Sequence, residues 1–178
     1  MKVLFYGGTR FVGKALVSRL LLKGHEIFVF TRGNLPVPKN VTHIKGDRSN
    51  NEDLKKLSNH SFDLIVDSSG RKLEDTQRLL EFSGLPIFRF IYISSAGVYE
   101  NTEFFPVAEE SPIDNKSRHI GKAKTEYWLK AEGIPFTSFR PTYIYGPGNY
   151  NPIEKWFFDR ITFSRYIPVP LDGQIITQ

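Results

Sequence analysis

There is no cysteine in this 178-residue chain, which excludes disulfides, thiolate-held zinc and thiol catalysis. Nowhere does an apolar run approach the roughly 18 to 20 residues of a membrane-crossing helix, so no membrane partner is expected. The four histidines are scattered and no carboxylate cluster has ligand spacing, which leaves no metal site to argue. No polybasic run marks a nucleic-acid tail, and no repeat of roughly 20–50 residues signals a solenoid or propeller. The chain opens Met1-Lys2 and enters apolar Val3 to Tyr6 at once. The expectation is a protein without a leader, placed in the cytoplasm.

What is present is an ordinary globular composition, 40% apolar and 24% charged, at the length of one domain. The net charge of +5 is unevenly placed. Residues 1–100 hold 15 Lys+Arg against 10 Asp+Glu, whereas residues 101–178 hold 9 against 9. The basic excess lies in the first half, and a basic surface attracts phosphate groups, those of nucleic acid included.

Short apolar runs predict strands at 2–6, 26–31, 41–45, 62–67, 88–94 and 135–140. Helical stretches are predicted between them, at 11–23, 51–58, 72–83 and 117–132. In the first helix Val12, Leu16 and Leu20 follow three-to-four spacing and Gly24 marks the stop. The nearly continuous runs Phe62 to Val66 and Phe90 to Ile93 suit parallel strands covered on both faces. Alternating strand and helix gives an α/β fold, a Rossmann-like doubly wound parallel sheet. The expected division is a dinucleotide-binding domain over 1–150 and the start of a second lobe over 151–178.

Between the first strand and helix stands Gly7-Gly8-Thr9-Arg10-Phe11-Val12-Gly13. Gly7 permits the tight turn and close approach of backbone to a pyrophosphate, and Gly13 permits close helix packing. The diphosphate is expected at the helix N-terminus, where unpaired N–H groups and the dipole favour negative charge. An acidic residue about 20 positions further on would bind an NAD ribose. Here the second strand instead ends Phe30-Thr31-Arg32. Arg32 and Arg10 suit a 2′-phosphate, so NADP is expected in preference to NAD.

The turn resembles the GxxGxxG motif of the extended short-chain dehydrogenases, the nucleotide-sugar epimerase/dehydratase group, with Arg10 at the middle glycine. The resemblance implies an adenine contact at Asp47 and Arg48 in Gly46-Asp47-Arg48, and a cofactor-lining turn at Gly70. It maps Ser95, in Ser94-Ser95-Ala96-Gly97-Val98-Tyr99, onto the hydroxyl that holds the substrate oxygen. Lys122 matches the lysine of Tyr-x-x-x-Lys, but Arg118 stands at the tyrosine position. Arginine is effectively always protonated and cannot act as base. His119 titrates near neutrality, and Tyr99 and Tyr143 are tyrosines on other elements.

GGTRFVG, GDR, SSAGVY, RHIGK and FRPTYIYGPGN together resemble one atypical branch, the chloroplast stem-loop-binding proteins and their cyanobacterial relatives. That resemblance implies RNA as a partner and, for some members, endoribonuclease activity, with His119 as the acid/base candidate. Relatives of this kind carry a second lobe after the Rossmann unit, so the C-terminal substrate lobe is expected to be largely absent from a chain ending Ile175-Ile176-Thr177-Gln178. Trp156, Phe157 and Phe158 are expected in a core or interface, or as base-stacking groups. Three classes stay open: an NADP-binding epimerase/dehydratase-like protein with an impaired redox site and a nucleotide-sugar ligand, an RNA-binding protein or ribonuclease, and a non-catalytic subunit of a homo-oligomer or other assembly.

Overall fold

The computed structural model describes residues 1–102 and 104–173; the strand-like end expected at 175–178 lies outside them. Six strands, β1 (Lys2–Tyr6), β2 (Glu26–Thr31), β3 (Val41–Lys45), β4 (Leu64–Asp67), β5 (Arg89–Ile93) and β6 (Phe136–Phe139), form one sheet of order β3-β2-β1-β4-β5-β6. Every neighbouring pair is parallel. The fold is Rossmann-like. Strand order reverses between β1 and β4, and it is outside the carboxyl ends of such a pair that α/β sheets bind ligands.

Helices α1 (Phe11–Leu22), α2 (Asn51–Leu54, continued by a 3-10 turn at Lys55–Asn59), α3 (Leu73–Ser83) and α4 (Ile120–Ala131) cover the sheet. The apolar runs are continuous because both sheet faces are covered. Val3, Phe5, Val29 and Val66 pack with Val17 of α1. On the other face Leu4, Tyr6, Phe30, Ile65, Phe90 and Tyr92 pack with Leu54, Leu79 and Leu129. Each such side chain contributes about 1.5–3 kcal/mol on burial.

Two expected features shift. Helix α1 buries Gly13 and Val17, whereas Leu16 of the expected stripe is exposed. Contact at Gly13, which has no side chain to hold the helix off, sets the rotation. Helix α4 begins at Ile120 rather than 117, because the Ser117 hydroxyl accepts the His119 N–H at 3.0 Å and Ser117–His119 form a turn ahead of it. Such local side-chain bonds compete with helix. Arg118 therefore precedes the helix that carries Lys122.

The described chain divides into two compact units at Pro141/Thr142. The second carries α5 (Ile153–Thr162), which buries no residue. Trp156, Phe157 and Phe158 are all exposed, so the expectation of a core role for them is not met. Trp156 meets Phe157 edge-on at 4.9 Å, and the Arg160 guanidinium lies 4.0 Å over the Trp156 ring.

Candidate functional site

Gly7 and Gly8 adopt φ of +111° and +93°, a region closed to most side chains. A Cβ on Gly7 would lie 2.6 Å from Ser68 Oγ, so this glycine lets the β4–α3 loop close on the turn. A Cβ on Gly13 would lie 2.7 Å from the Gly8 Cα. Arg10 is extended (φ −127°, ψ 149°) and lends no side-chain cap to α1. An arginine therefore fits the middle position without strain. The left-handed step falls on Phe11, at φ +37°. Thr9 and Val12 are half-buried beside it. The first amides of α1 are left to an outside acceptor, the arrangement that receives anions at helix N-termini.

Beyond the ends of β2 and β3 opens a cleft of about 340 Å³ lined by Arg32, Lys45, Gly46, Asp47, Asp53 and Lys56. Asp47 accepts the Ser49 N–H at 2.9 Å and its hydroxyl at 2.6 Å, and these bonds hold its carboxyl below the ordinary value. Asp47 does not cap the following helix; Asn50 does, accepting the Glu52 N–H. Lys56 pairs with Asp53. Among the described residues Arg32 and Lys45 have no such ion pair, so both charges remain available in the cleft.

Arg48 points elsewhere. Its guanidinium donates to the Ser69 carbonyl at 2.7 Å and to Ser69 Oγ at 2.6 Å. It lies 3.6 Å from both Asp67 and Asp75 and 4.3 Å over the Tyr6 ring. Asp67 is fully buried and accepts the N–H groups of Ser69 and Gly70 and the Thr76 hydroxyl. Gly70 is glycine because a Cβ there would collide with that carboxylate. Arg48 thus ties the β3 loop to the β4–α3 loop, which itself closes on Gly7.

At the end of β5, Ser95 Oγ accepts the Gly97 N–H at 3.2 Å. A Cβ on Gly97 would lie 2.7 Å from His119 Cδ2, 3.2 Å from His119 Nε2 and 3.4 Å from Ser95 Oγ, so the imidazole packs directly on this glycine, next to the serine. Arg118 Nε donates to His119 Nε2 at 3.0 Å, which assigns the ring proton to Nδ1. Burial first, then the charges of Arg118, Lys122 and Arg71, hold this imidazole below its ordinary value. Lys122 Nζ donates to the Ile93 carbonyl at 2.5 Å, and burial holds its ammonium below the ordinary value. Tyr99 is committed: its hydroxyl accepts from Arg140 Nη1 at 2.7 Å, while Glu126 pairs with the same guanidinium at 2.5 Å.

The sequence-derived residues therefore form a glycine cradle (Gly7, Gly8, Thr9, Arg10, Phe11, Val12, Gly13), a cleft with Arg32 and Asp47, and a group of Ser95, His119 and Lys122. Arg71, Ser69 and Ser117 escape sequence reading, since nothing local marks them. Gly121 shows why Arg71 is near: a Cβ on Gly121 would strike the Arg71 carbonyl. None of the helices among the described residues is long and apolar enough to cross a membrane.

Residues 3–162 match the NAD dependent epimerase/dehydratase family. The chain is 43% identical, over 99% of its own length, to the chloroplast stem-loop binding protein of 41 kDa b of Arabidopsis thaliana, of which it spans 51%. It is 27% identical to a UDP-glucose 4-epimerase of Drosophila melanogaster over 72% of its length, spanning 47% of that protein. The chain thus spans about half the length of these relatives. Its fold matches a UDP-glucose 4-epimerase from Thermotoga maritima, solved with UDP-glucose, at a TM-score of 0.77 and 21% identity, covering 94% of this chain and 65% of that one. It also matches the Bordetella bronchiseptica enzyme WbmG, solved with NAD and UDP, at 0.77 and 19%, covering 93% and 60%. The glycine cradle at the sheet's reversal point and the family match over residues 3–162 agree, and the chain belongs to the NAD dependent epimerase/dehydratase family.

Proposed function

We propose that this chain is a dinucleotide-binding domain that takes NADP in preference to NAD, and that Arg118 disables the family's usual redox step. The glycine cradle carries the reading: two left-handed glycines, uncapped α1 amides and a Gly8–Gly13 approach that a single methyl group would block. The residues present fit the group. The cradle takes the diphosphate, with Arg10 beside it. Asp47 and Gly46 border the adenosine cleft, and Arg32 and Lys45 stand ready for a 2′-phosphate. Bound there, the nicotinamide supplies a hydride acceptor or donor.

Gly70, held under Asp67, keeps the β4–α3 loop tight against the cofactor side. Lys122, fixed to the Ile93 carbonyl, places its charge at the end of β5, and Ser95 offers a free O–H to a substrate oxygen such as that of a nucleotide sugar. No neutral base stands at position 118, and Tyr99 is tied to Arg140. Losing a positioned acid/base typically costs about 10²–10⁴ in rate.

Titration with NADPH and NADH, followed by nicotinamide fluorescence, tests the reading. Saturable micromolar binding is expected, tighter for NADPH by about tenfold on the strength of charge-assisted phosphate contacts. Arg32→Glu is expected to reverse that order. No saturable response up to millimolar cofactor would sink it.

A second reading has a specific support: the 43% identical relative is named for stem-loop binding. In that reading the basic surface holds RNA, and His119 serves as acid/base if a strand is cut. RNA affinity should then fall steeply with salt, and a flat response would remove the idea. A His119→Ala protein that cleaves at full rate would end the histidine's role.

A further inference from the structure

Three cations, Arg118, Lys122 and Arg71, lie near enough to His119 for their charges to act on its imidazole. Gly121 brings the first turn of α4 onto the backbone of Arg71 and Lys72, Arg118 lies against His119, and Lys122 is held at the Ile93 carbonyl. Carboxylates do stand nearby, but each is already paired: Asp67 with Arg48 and Glu126 with Arg140. Among the described residues none of Arg71, Arg118 and Lys122 has an acidic side chain within ion-pair distance. Arg71 and Arg118 are exposed, so both guanidinium groups are free to reach a ligand. Like charges gathered this way repel one another; Asp67 and Glu126 offset part of this at Lys122, while among the described residues neither Arg71 nor Arg118 has an acidic partner.

The neutral donors point the same way. Ser95 Oγ accepts from Gly97 and retains its own O–H. His119, with Nε2 taken by Arg118, keeps an N–H on Nδ1. Two guanidinium groups, one hydroxyl and one imidazole N–H make a set dominated by donors, in which Ser95 Oγ already accepts from Gly97 and His119 Nε2 from Arg118. That set suits a tetrahedral oxyanion and not a neutral sugar, whose hydroxyls need acceptors as well.

We propose that Arg71 and Arg118, backed by Lys122 and flanked by Ser95 and His119, bind a phosphate group, the monoester of a small nucleotide or the diester of an RNA strand. The site lies at the start of α4, apart from the glycine cradle at α1, and uses Ser95, His119 and Lys122, which the proposed function also draws on.

The test is titration of the whole chain with inorganic phosphate while the His119 imidazole is followed by NMR. Phosphate is expected to saturate the shift and to raise the pH at which His119 titrates, since the anion offsets Arg71, Arg118 and Lys122. Arg71→Gln and Arg118→Gln should each weaken phosphate about tenfold. Arg118→Lys should recover part of the loss, and Arg71→Gln should leave NADPH affinity unchanged. A short RNA that displaces phosphate from the native chain but not from the double glutamine variant assigns the group to a strand. An RNA that fails to displace it assigns the group to a small monoester. A His119 shift that does not respond to phosphate, or responds equally in the double variant, overturns the proposal. Loss of NADPH binding with phosphate binding intact would count only against the dinucleotide reading.

Discussion

The Cα of Gly8 and the position a Gly13 side chain would take are 2.7 Å apart, closer than real atoms pack. Helix α1 therefore rests directly on the turn that feeds it, and the α1 amides are held where a diphosphate would lie. Gly13→Ala is expected to destabilise the fold by about 1–3 kcal/mol through overpacking and to abolish NADPH binding at temperatures where the variant is still folded. Thermal unfolding and fluorescence titration of one preparation check both; parental affinity in a folded variant would count against the cradle.

Arg48 spans the two loops beside the cradle. Arg48→Met removes two bonds to Ser69 and leaves the buried Asp67 carboxylate without its cation. A loss of about 2 kcal/mol is expected in denaturant unfolding, the scale of hydrogen bonds to charged groups. Arg48→Lys keeps the charge but not the paired geometry, and should recover only part of it.

Arg140 holds Glu126 and Tyr99 together across three elements. The Glu126 carboxylate is buried, and hydrogen bonds to it and to Tyr99 hold the guanidinium pKa above its ordinary value. Arg140→Met strands that carboxylate and should cost about 3 kcal/mol, the scale of breaking a buried pair. The double variant with Glu126→Gln should be less destabilised than Arg140→Met alone, as a double-mutant cycle would read.

The fold holds the His119 imidazole below its ordinary value of 6.5, so the unfolded chain binds its proton more readily. The stability contributed by the neutral ring is therefore complete above that value and is lost as pH falls from it through the lower folded value. His119→Gln should flatten the decline in melting temperature between about pH 7 and 5. An unchanged acid limb would show that the ring is solvated in the fold.

Much of the fold was legible because its signals are local. β1, β2 and β3 fall at the residues their apolar runs mark, and Gly24, at φ +77°, ends α1 as expected. The rotation of α1 was not legible, since the expected stripe gave weight to side chains while the deciding contact is made by a residue that has none. The start of α4 was missed for a related reason: Ser117 offers the backbone a competing bond that helical spacing does not register.

By itself the sequence determined a parallel α/β sheet, a glycine turn at its first strand–helix junction and an arginine four residues before Lys122. Those follow from backbone sterics, apolar periodicity and residue identity, which act over a few positions. Only the tertiary structure decided which charges are spent and which remain free. Arg48 finds Ser69 at a separation of 21 residues and Arg140 finds Tyr99 at 41, whereas among the described residues Arg71 and Arg118 form no ion pair. An ion's availability depends on what the fold brings against it, and that neighbourhood is set by strand order rather than by the residues on either side.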